Sequence, residues 1–200
     1  MKRKDVILVF VLVFLALFFM TMVIFSTCSS QQLDNAVDAY FSGFSNSFLI
    51  KMSLAFSLIF DLINIILISL VLFLFLFFRK LKEDSFFLLS NSLLAGLLIF
   101  LFREIIQRPR PENLFEFGFG FPSGHVTIAV VFFCSLIYLS FKHIKNKYKY
   151  LVSVFSVFLI FLIIFSRIYL RVHWFSDILG GFFLGGFIFL FNLYFFEKIK

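Results

Sequence analysis

Charge is scarce in this chain. Asp, Glu, Lys and Arg make up 14% of its residues, while 62% are hydrophobic and the mean hydropathy is +1.07. A water-soluble domain could not hide that much apolar side chain, so an integral membrane protein is expected. Cysteine is almost missing too. Cys28 and Cys134 are too few for a disulfide framework, and Cys134 falls inside an apolar run, so both are read as bystanders. No Pro-, Gly- or Ser-rich linker, low-complexity tail or internal repeat divides the 200 residues, which predicts one helical domain over 1–200. The first apolar run is longer than a signal-peptide core and lacks a small-residue cleavage site, so it is read as a retained helix.

What the chain has instead is long apolar runs. Six can be counted, at 6–25, 54–78, 86–102, 125–141, 151–170 and 176–196. A helical span of a bilayer needs roughly 20 apolar residues, and snorkelling flanks let the shortest of these cross. The fold class expected is therefore all-α: a polytopic bundle of six transmembrane helices. The net charge of +7 could suggest a nucleic-acid partner, but the basic residues sit in short clusters between apolar runs, as membrane topology requires. With the N-terminus in the cytoplasm, the inside holds Lys2, Arg3, Lys4, Arg79, Lys80, Lys82, Lys142, Lys145, Lys147, Lys149, Lys198 and Lys200, twelve of the eighteen. The outside keeps Lys51, Arg103, Arg108, Arg110, Arg167 and Arg171. Five of these six exceptions are arginines beside unusual polar stretches, so they need a reason other than topology.

Three such stretches meet the same outer face. The first, "REIIQRPRP" from Arg103 to Pro111, supplies guanidinium forks that match phosphate oxygens. Snorkelling to lipid headgroups would also explain an arginine there, and Arg108 is the one that suits it. The second, Pro122-Ser123-Gly124-His125, opens the fourth helix. Ser123 is a good N-cap, Gly124 permits close backbone approach, and unsatisfied first-turn amides form an anion site. His125 could exchange a proton with a bound group; an ordinary cap with an interfacial histidine would look the same. The third, "SRIYLRVHWFSD", places His173 and Asp177 four residues apart, on one face if a helix begins there. A carboxylate accepting the Nδ1 proton of His173 would leave Nε2 free as nucleophile or base. Arg167 adds a guanidinium from the neighbouring helix.

These residues together resemble the type-2 phosphatidic acid phosphatase family, which shares its active site with the vanadium haloperoxidases. The family pattern is a basic residue, six positions, Arg-Pro; then Pro-Ser-Gly-His; then Ser-Arg, five positions, His, three positions, Asp. Arg103 and Arg110-Pro111 satisfy the first part, Pro122–His125 the second, and Ser166-Arg167, His173 and Asp177 the third. One departure is Arg103, where the family usually has lysine; the charge is kept and the geometry changes.

The resemblance implies an active site at the extracytoplasmic ends of the helices. His173 would attack phosphorus and form a phosphohistidine, with Asp177 orienting it and His125 protonating the leaving oxygen. Arg103, Arg110, Arg167, Ser123 and the Gly124 amide would hold the equatorial oxygens. No metal and no other cofactor is expected, and Glu104, Glu112 and Glu116 are scattered and suit rim roles. The expected activity is that of a lipid phosphatase in the cell inner membrane, with both termini cytoplasmic. Its partner would be a phosphorylated lipid: undecaprenyl diphosphate, phosphatidylglycerol phosphate, phosphatidic acid or a lipid A phosphate. A homo-oligomer is left open. A phosphotransferase is the near alternative, and a small anion transporter the distant one.

Some polar residues stay outside this scheme. Asp61 and Asn64 are expected inside the second helix, where packing or a partner contact would explain them. His143 is expected to be solvated in a basic loop. The stretch "FEFGFGF", Phe115–Phe121, is read as a mobile loop with aromatics at headgroup depth.

Overall fold

The computed structural model describes residues 3–25, 28–44, 46–111 and 115–198. Lys2, Lys200 and Glu112 lie outside these residues, as do the side chains of Cys28 and Lys198. Eight helices follow in order among the described residues: α1 Arg3–Ile24, α2 Cys28–Ser42, α3 Ser47–Ile59, α4 Leu62–Phe78, α5 Lys82–Ile106, α6 Gly124–His143, α7 Tyr148–Tyr169 and α8 Phe175–Lys198. Five are long and apolar enough to cross a membrane, and α3 with α4 make a sixth if that bent pair is one span.

α6 forms the axis of the bundle. Two thirds of its apolar window is buried, against 22% for α1, so α1 leaves most of its apolar surface to lipid. α5, α7 and α8 pack around α6; α1 lies on α8, α4 on α5 and α3 on α7. Lipid tails are as apolar as the side chains, so polar contacts and close backbone approach must hold such helices together. α5 supplies the polar contacts. Ser92 meets Ser69 of α4 at 2.7 Å, Asn91 donates to Ser135 of α6 at 3.0 Å, and Asn192 of α8 donates to Ser90 at 2.8 Å. α8 supplies the close approach. A Cβ at Gly181 would stand 2.7 Å from the Ser123 carbonyl, and one at Gly185 would stand 2.8 Å from that of Thr127.

Two features depart from the sequence expectation. The second span, expected as one helix over 54–78, breaks between Ile59 and Leu62 with a bend of 49°. Asp61 is the N-cap of α4 rather than a mid-helix residue, and its carboxylate accepts from Ile63 N at 3.4 Å. Asn64 donates 2.5 Å to the Leu58 carbonyl at the end of α3. Asp is a strong N-cap, and the break lets it serve free amides instead of sitting unpaired in hydrocarbon. The other feature is α2, a polar helix that no apolar run announces. Its Asp34 is buried and accepts from Ser176 N and Oγ at 2.9 and 2.6 Å and from Arg108 at 2.7 Å. One turn later Asp38 takes both arms of Arg171.

At the far end from α2, His143 is exposed as expected, but it is also paired. It closes α6 and meets Asp84 of α5 at 2.6 Å, and Lys142 pairs with the other oxygen of that carboxylate. Arg3 and Glu197 join α1 to α8 at the same end, 2.8 Å apart.

The clamp of α2 gives a stability prediction. Removing one partner of a buried ion pair leaves an uncompensated charge and costs about 3–5 kcal/mol. Asp34→Ala should therefore destabilise the detergent-solubilised protein by about 3 kcal/mol, since Arg108 keeps Asp177 as a second partner. An unchanged melting temperature would mean that α2 does not clamp the bundle.

Candidate active site

All three polar stretches converge at one end of the bundle. α5 ends on Gln107, whose left-handed backbone (φ 50°) breaks the helix ahead of two prolines that cannot rejoin it. Arg103 stays on the last turn of α5, while Arg108 and Arg110 ride on the reversed segment. Across from them, the loop Leu170–Trp174 carries His173 between α7 and α8.

His173 is fully enclosed, and its Nδ1 lies 3.4 Å from Asp177 Oδ2. On the other side, Arg110 Nη1 stands 3.1 Å from Nε2 and donates 2.9 Å to the Val172 carbonyl. A guanidinium only donates, so Nε2 carries the lone pair and Nδ1 the proton. Burial, then the nearby cations Arg110 and Arg103, hold the imidazole well below its ordinary pKa of 6.5. A neutral ring with its lone pair turned toward the arginines is a nucleophile in its reactive form.

Asp177 has its own support. Oδ1 accepts from Arg108 at 2.5 Å, Oδ2 accepts from Trp174 N at 3.0 Å, and its carbonyl accepts from Ser123 N at 3.0 Å. Arg108 is therefore not a snorkelling arginine. It links Asp34 of α2 to Asp177, donates to Ser176 at 2.7 Å and lies over the Phe25 ring at 4.6 Å. Sequence reasoning missed this link because Asp34 and Arg108 are 74 residues apart. The available signal was in "DNAVD", which puts Asp34 and Asp38 on one helical face.

Glu116 also departs from expectation, since it does not lie at a rim. Its carboxylate bridges two arginines, accepting 2.7 Å from Arg110 and 2.5 Å from Arg167. His125 Nδ1 stands 3.9 Å from the same group and 3.5 Å from Arg167 Nη1. Burial would raise the Glu116 pKa, but His125, Arg167, His173 and Arg110 outweigh it and hold the carboxyl below its ordinary 4.5. An anion is thus seated between the two histidines.

The donors around that anion are not all used. Arg110 Nε, Arg167 Nη2 and Ser123 Oγ are buried and have no hydrogen-bond partner among the described residues. Ser123 stands at the N-cap of α6 as expected, but its side chain makes no capping bond. Arg103 donates 3.3 Å to the Pro122 carbonyl, and a Cβ at Gly124 would approach its Nη2 to 3.0 Å. Every expected site residue is therefore in this one cluster.

The loop "FEFGFGF" is divided. Phe117 is 91% exposed, which suits an interfacial aromatic. Phe121, however, is fully buried against Phe18 and Phe25, and Gly120 lies so close to Asp177 Oδ2 that a Cβ would reach it at 2.8 Å. The far end of the stretch belongs to the core.

Residues 84–200, more than half of the chain, match the family described as the PAP2 superfamily. The chain belongs to the PAP2 superfamily. Among curated relatives, phosphatidylglycerophosphatase B of Bacillus subtilis (strain 168) is 35% identical over 130 residues, covering 62% of this chain and 64% of that protein. Lipid A 4'-phosphatase of Porphyromonas gingivalis is 28% identical over 157 residues, covering 68% and 63%. The chain thus spans just under two thirds of the length of each. A crystal structure of a transmembrane PAP2-type phosphatidylglycerolphosphate phosphatase from Bacillus subtilis superposes with a TM-score of 0.80 at 27% identity, over 100% of this chain and 98% of that one. The all-helical membrane bundle is thereby the PAP2 fold.

The state of His173 in this PAP2 site gives a pH prediction for stability. Unfolded, the ring binds a proton below about 6.5; folded, it does so only at much lower pH. The unfolded state therefore binds more protons in that window, so stability falls as pH drops below about 6.5. The slope is about 1.4 kcal/mol per pH unit for one such group. His173→Asn should flatten the decline in melting temperature between pH 7 and 5, and an identical decline would contradict the neutral assignment.

Proposed function

We propose that the chain is a membrane lipid phosphatase that removes a terminal phosphate from a lipid monoester or diphosphate on the extracytoplasmic face. The observation that carries this is the Glu116 carboxylate, held by Arg110 and Arg167 with a histidine on either side. The Glu116 carboxylate stands in for the substrate phosphate, which would displace it and engage the unused donors of Arg110, Arg167 and Ser123. Arg103 and the Gly124 amide complete the cradle. Beside it runs a cavity of about 520 Å³ lined by Leu58, Leu62, Ile99, Phe115 and Phe117 on its apolar side. A lipid could keep its chains there while its phosphate reaches the arginines.

In this mechanism His173 Nε2 attacks phosphorus. The N–P bond forms as the P–O bond to the lipid breaks, and His125 gives its proton to the leaving oxygen. Water then attacks the phosphohistidine, His125 takes a proton back, and inorganic phosphate leaves with His173 neutral again. Asp177 stabilises the charge that develops on His173, and the guanidiniums stabilise the equatorial oxygens without needing a metal ion. The names of the relatives favour a phosphatidylglycerol phosphate or a lipid A phosphate over the other candidates.

The test is phosphate release by purified protein from phosphatidylglycerol phosphate, lipid A phosphate, phosphatidic acid and undecaprenyl diphosphate. At least one should be hydrolysed in EDTA, vanadate should inhibit, and His173→Ala should abolish turnover. Activity lost in EDTA and restored by Mg²⁺ would refute the mechanism.

Sidedness has its own test, because the charge bias puts the site outside and both termini in the cytoplasm. In a background lacking Cys28 and Cys134, a cysteine replacing the exposed Phe117 should react with an impermeant thiol reagent in intact cells. Labelling of a cysteine at Lys145 instead would invert the topology.

A further inference from the structure

His125 has a carboxylate neighbour that lies outside the family pattern. Its Nδ1 faces the anion held by Arg167, while its Nε2 points the other way, into the break between α3 and α4. There it lies 3.2 Å from the Ser57 carbonyl, 3.5 Å from Ser57 Oγ and 3.5 Å from Asp61 Oδ1. A carbonyl and a carboxylate accept only, so the ring presents an N–H at Nε2. For the ring to act as an acid toward a leaving oxygen, Nδ1 must carry a proton too. The ring must then be an imidazolium, and its charge needs compensation.

The surroundings divide on that point. Arg167 of α7 opposes a second proton, and Arg103 of α5, which lines the same cavity, opposes it from further away. Glu116 favours it, but Glu116 occupies the place assigned to the substrate phosphate and is already shared by Arg110 and Arg167. Among the described residues, Asp61 of α4 is then the carboxylate beside His125 that is not part of the arginine cluster.

We propose that Asp61 is a positioning residue for His125, holding its Nε2–H and stabilising the positive charge that the ring takes up when Nδ1 is protonated to act as an acid. The break in the second span is what makes this possible. An unbroken helix would carry Asp61 inside the hydrocarbon, whereas the bend delivers both the Ser57 carbonyl and the Asp61 carboxylate to one imidazole. The assignment rests on the phosphatase reading for its kinetic consequence but not for its geometry.

Asp61→Asn isolates the charge, because Asn caps helices as well as Asp and keeps the amides of α4 served. An opposite charge within about 4–6 Å moves a pKa by 1–3 units, and an Asp that is 43% exposed belongs at the low end. Two measurements are needed. In the first, diethyl pyrocarbonate modification of His125 is followed by peptide mass spectrometry from pH 5 to 9. The midpoint should fall by about one pH unit in Asp61→Asn and return toward the native value in Asp61→Glu. In the second, the basic limb of the kcat profile on a lipid phosphate should move down by the same amount. At pH 8 that gives about a tenfold loss, with KM little changed. On p-nitrophenyl phosphate, whose leaving group needs no proton, the loss should stay within about twofold. An unmoved His125 midpoint in Asp61→Asn overturns the proposal, as does an equal loss on both substrates. A shifted midpoint in a protein that releases no phosphate from any lipid would instead leave Asp61 assigned and refute the phosphatase reading.

Discussion

Guanidinium groups crowded at the end of a membrane bundle cannot be left without negative charge, and the arrangement of this site follows from that constraint. Arg108, Arg110 and Arg167 are each nearly or fully enclosed, and burial weakens the screening of their mutual repulsion. The protein answers with two separate sets of carboxylates. Asp34 and Asp177 neutralise Arg108 permanently, deep between α2 and α8. Glu116 neutralises Arg110 and Arg167 from a loop, and in the proposed function its charge would be exchanged for that of the substrate. The distinction between a structural and a replaceable counter-charge separates scaffold from site.

The same logic bears on the proposed nucleophile. His173 is pressed by cations on one side and a buried carboxylate on the other, and it stays neutral. His125 stands on the opposite side of the seated anion, with Ser57 and Asp61 behind it. Each ring has an aspartate at its back, and the two differ in front. Nε2 of His173 faces Arg110, whereas Nδ1 of His125 faces both Arg167 and Glu116. The proposed mechanism assigns attack to the first and proton donation to the second.

Much of this was legible in the chain, and what was not has a common cause. Arg103, Arg110, Ser123, Gly124, His125, Arg167, His173 and Asp177 announce themselves by short spacings, since a helix turn or a tight loop brings neighbours in sequence together. The links that hold those residues are long-range. Asp34 is 74 residues from Arg108, and Ser57 is 68 from His125. No spacing rule reaches that far. α2 went unseen because a search for apolar runs passes over a polar helix, and the break at Asp61 went unseen because "DLIN" sits within an apolar run without proline or glycine. Glu116 looked like a rim residue because one carboxylate among phenylalanines carries no local sign of the two arginines it joins.

Gly181 and Gly185 hold a further implication. α6 carries Ser123 and His125 at its first turn, and α8 carries Asp177 at its own, with His173 just before it. The two helices touch backbone to backbone along those glycines, with no room for a methyl group. The gap across which phosphorus would move between nucleophile and acid is therefore gauged by a seam that runs away from the reacting atoms into the bilayer. In the proposed function, a side chain added at Gly181 or Gly185 would alter that gap without meeting a substrate, a consequence that a comparison of polar side chains alone would miss.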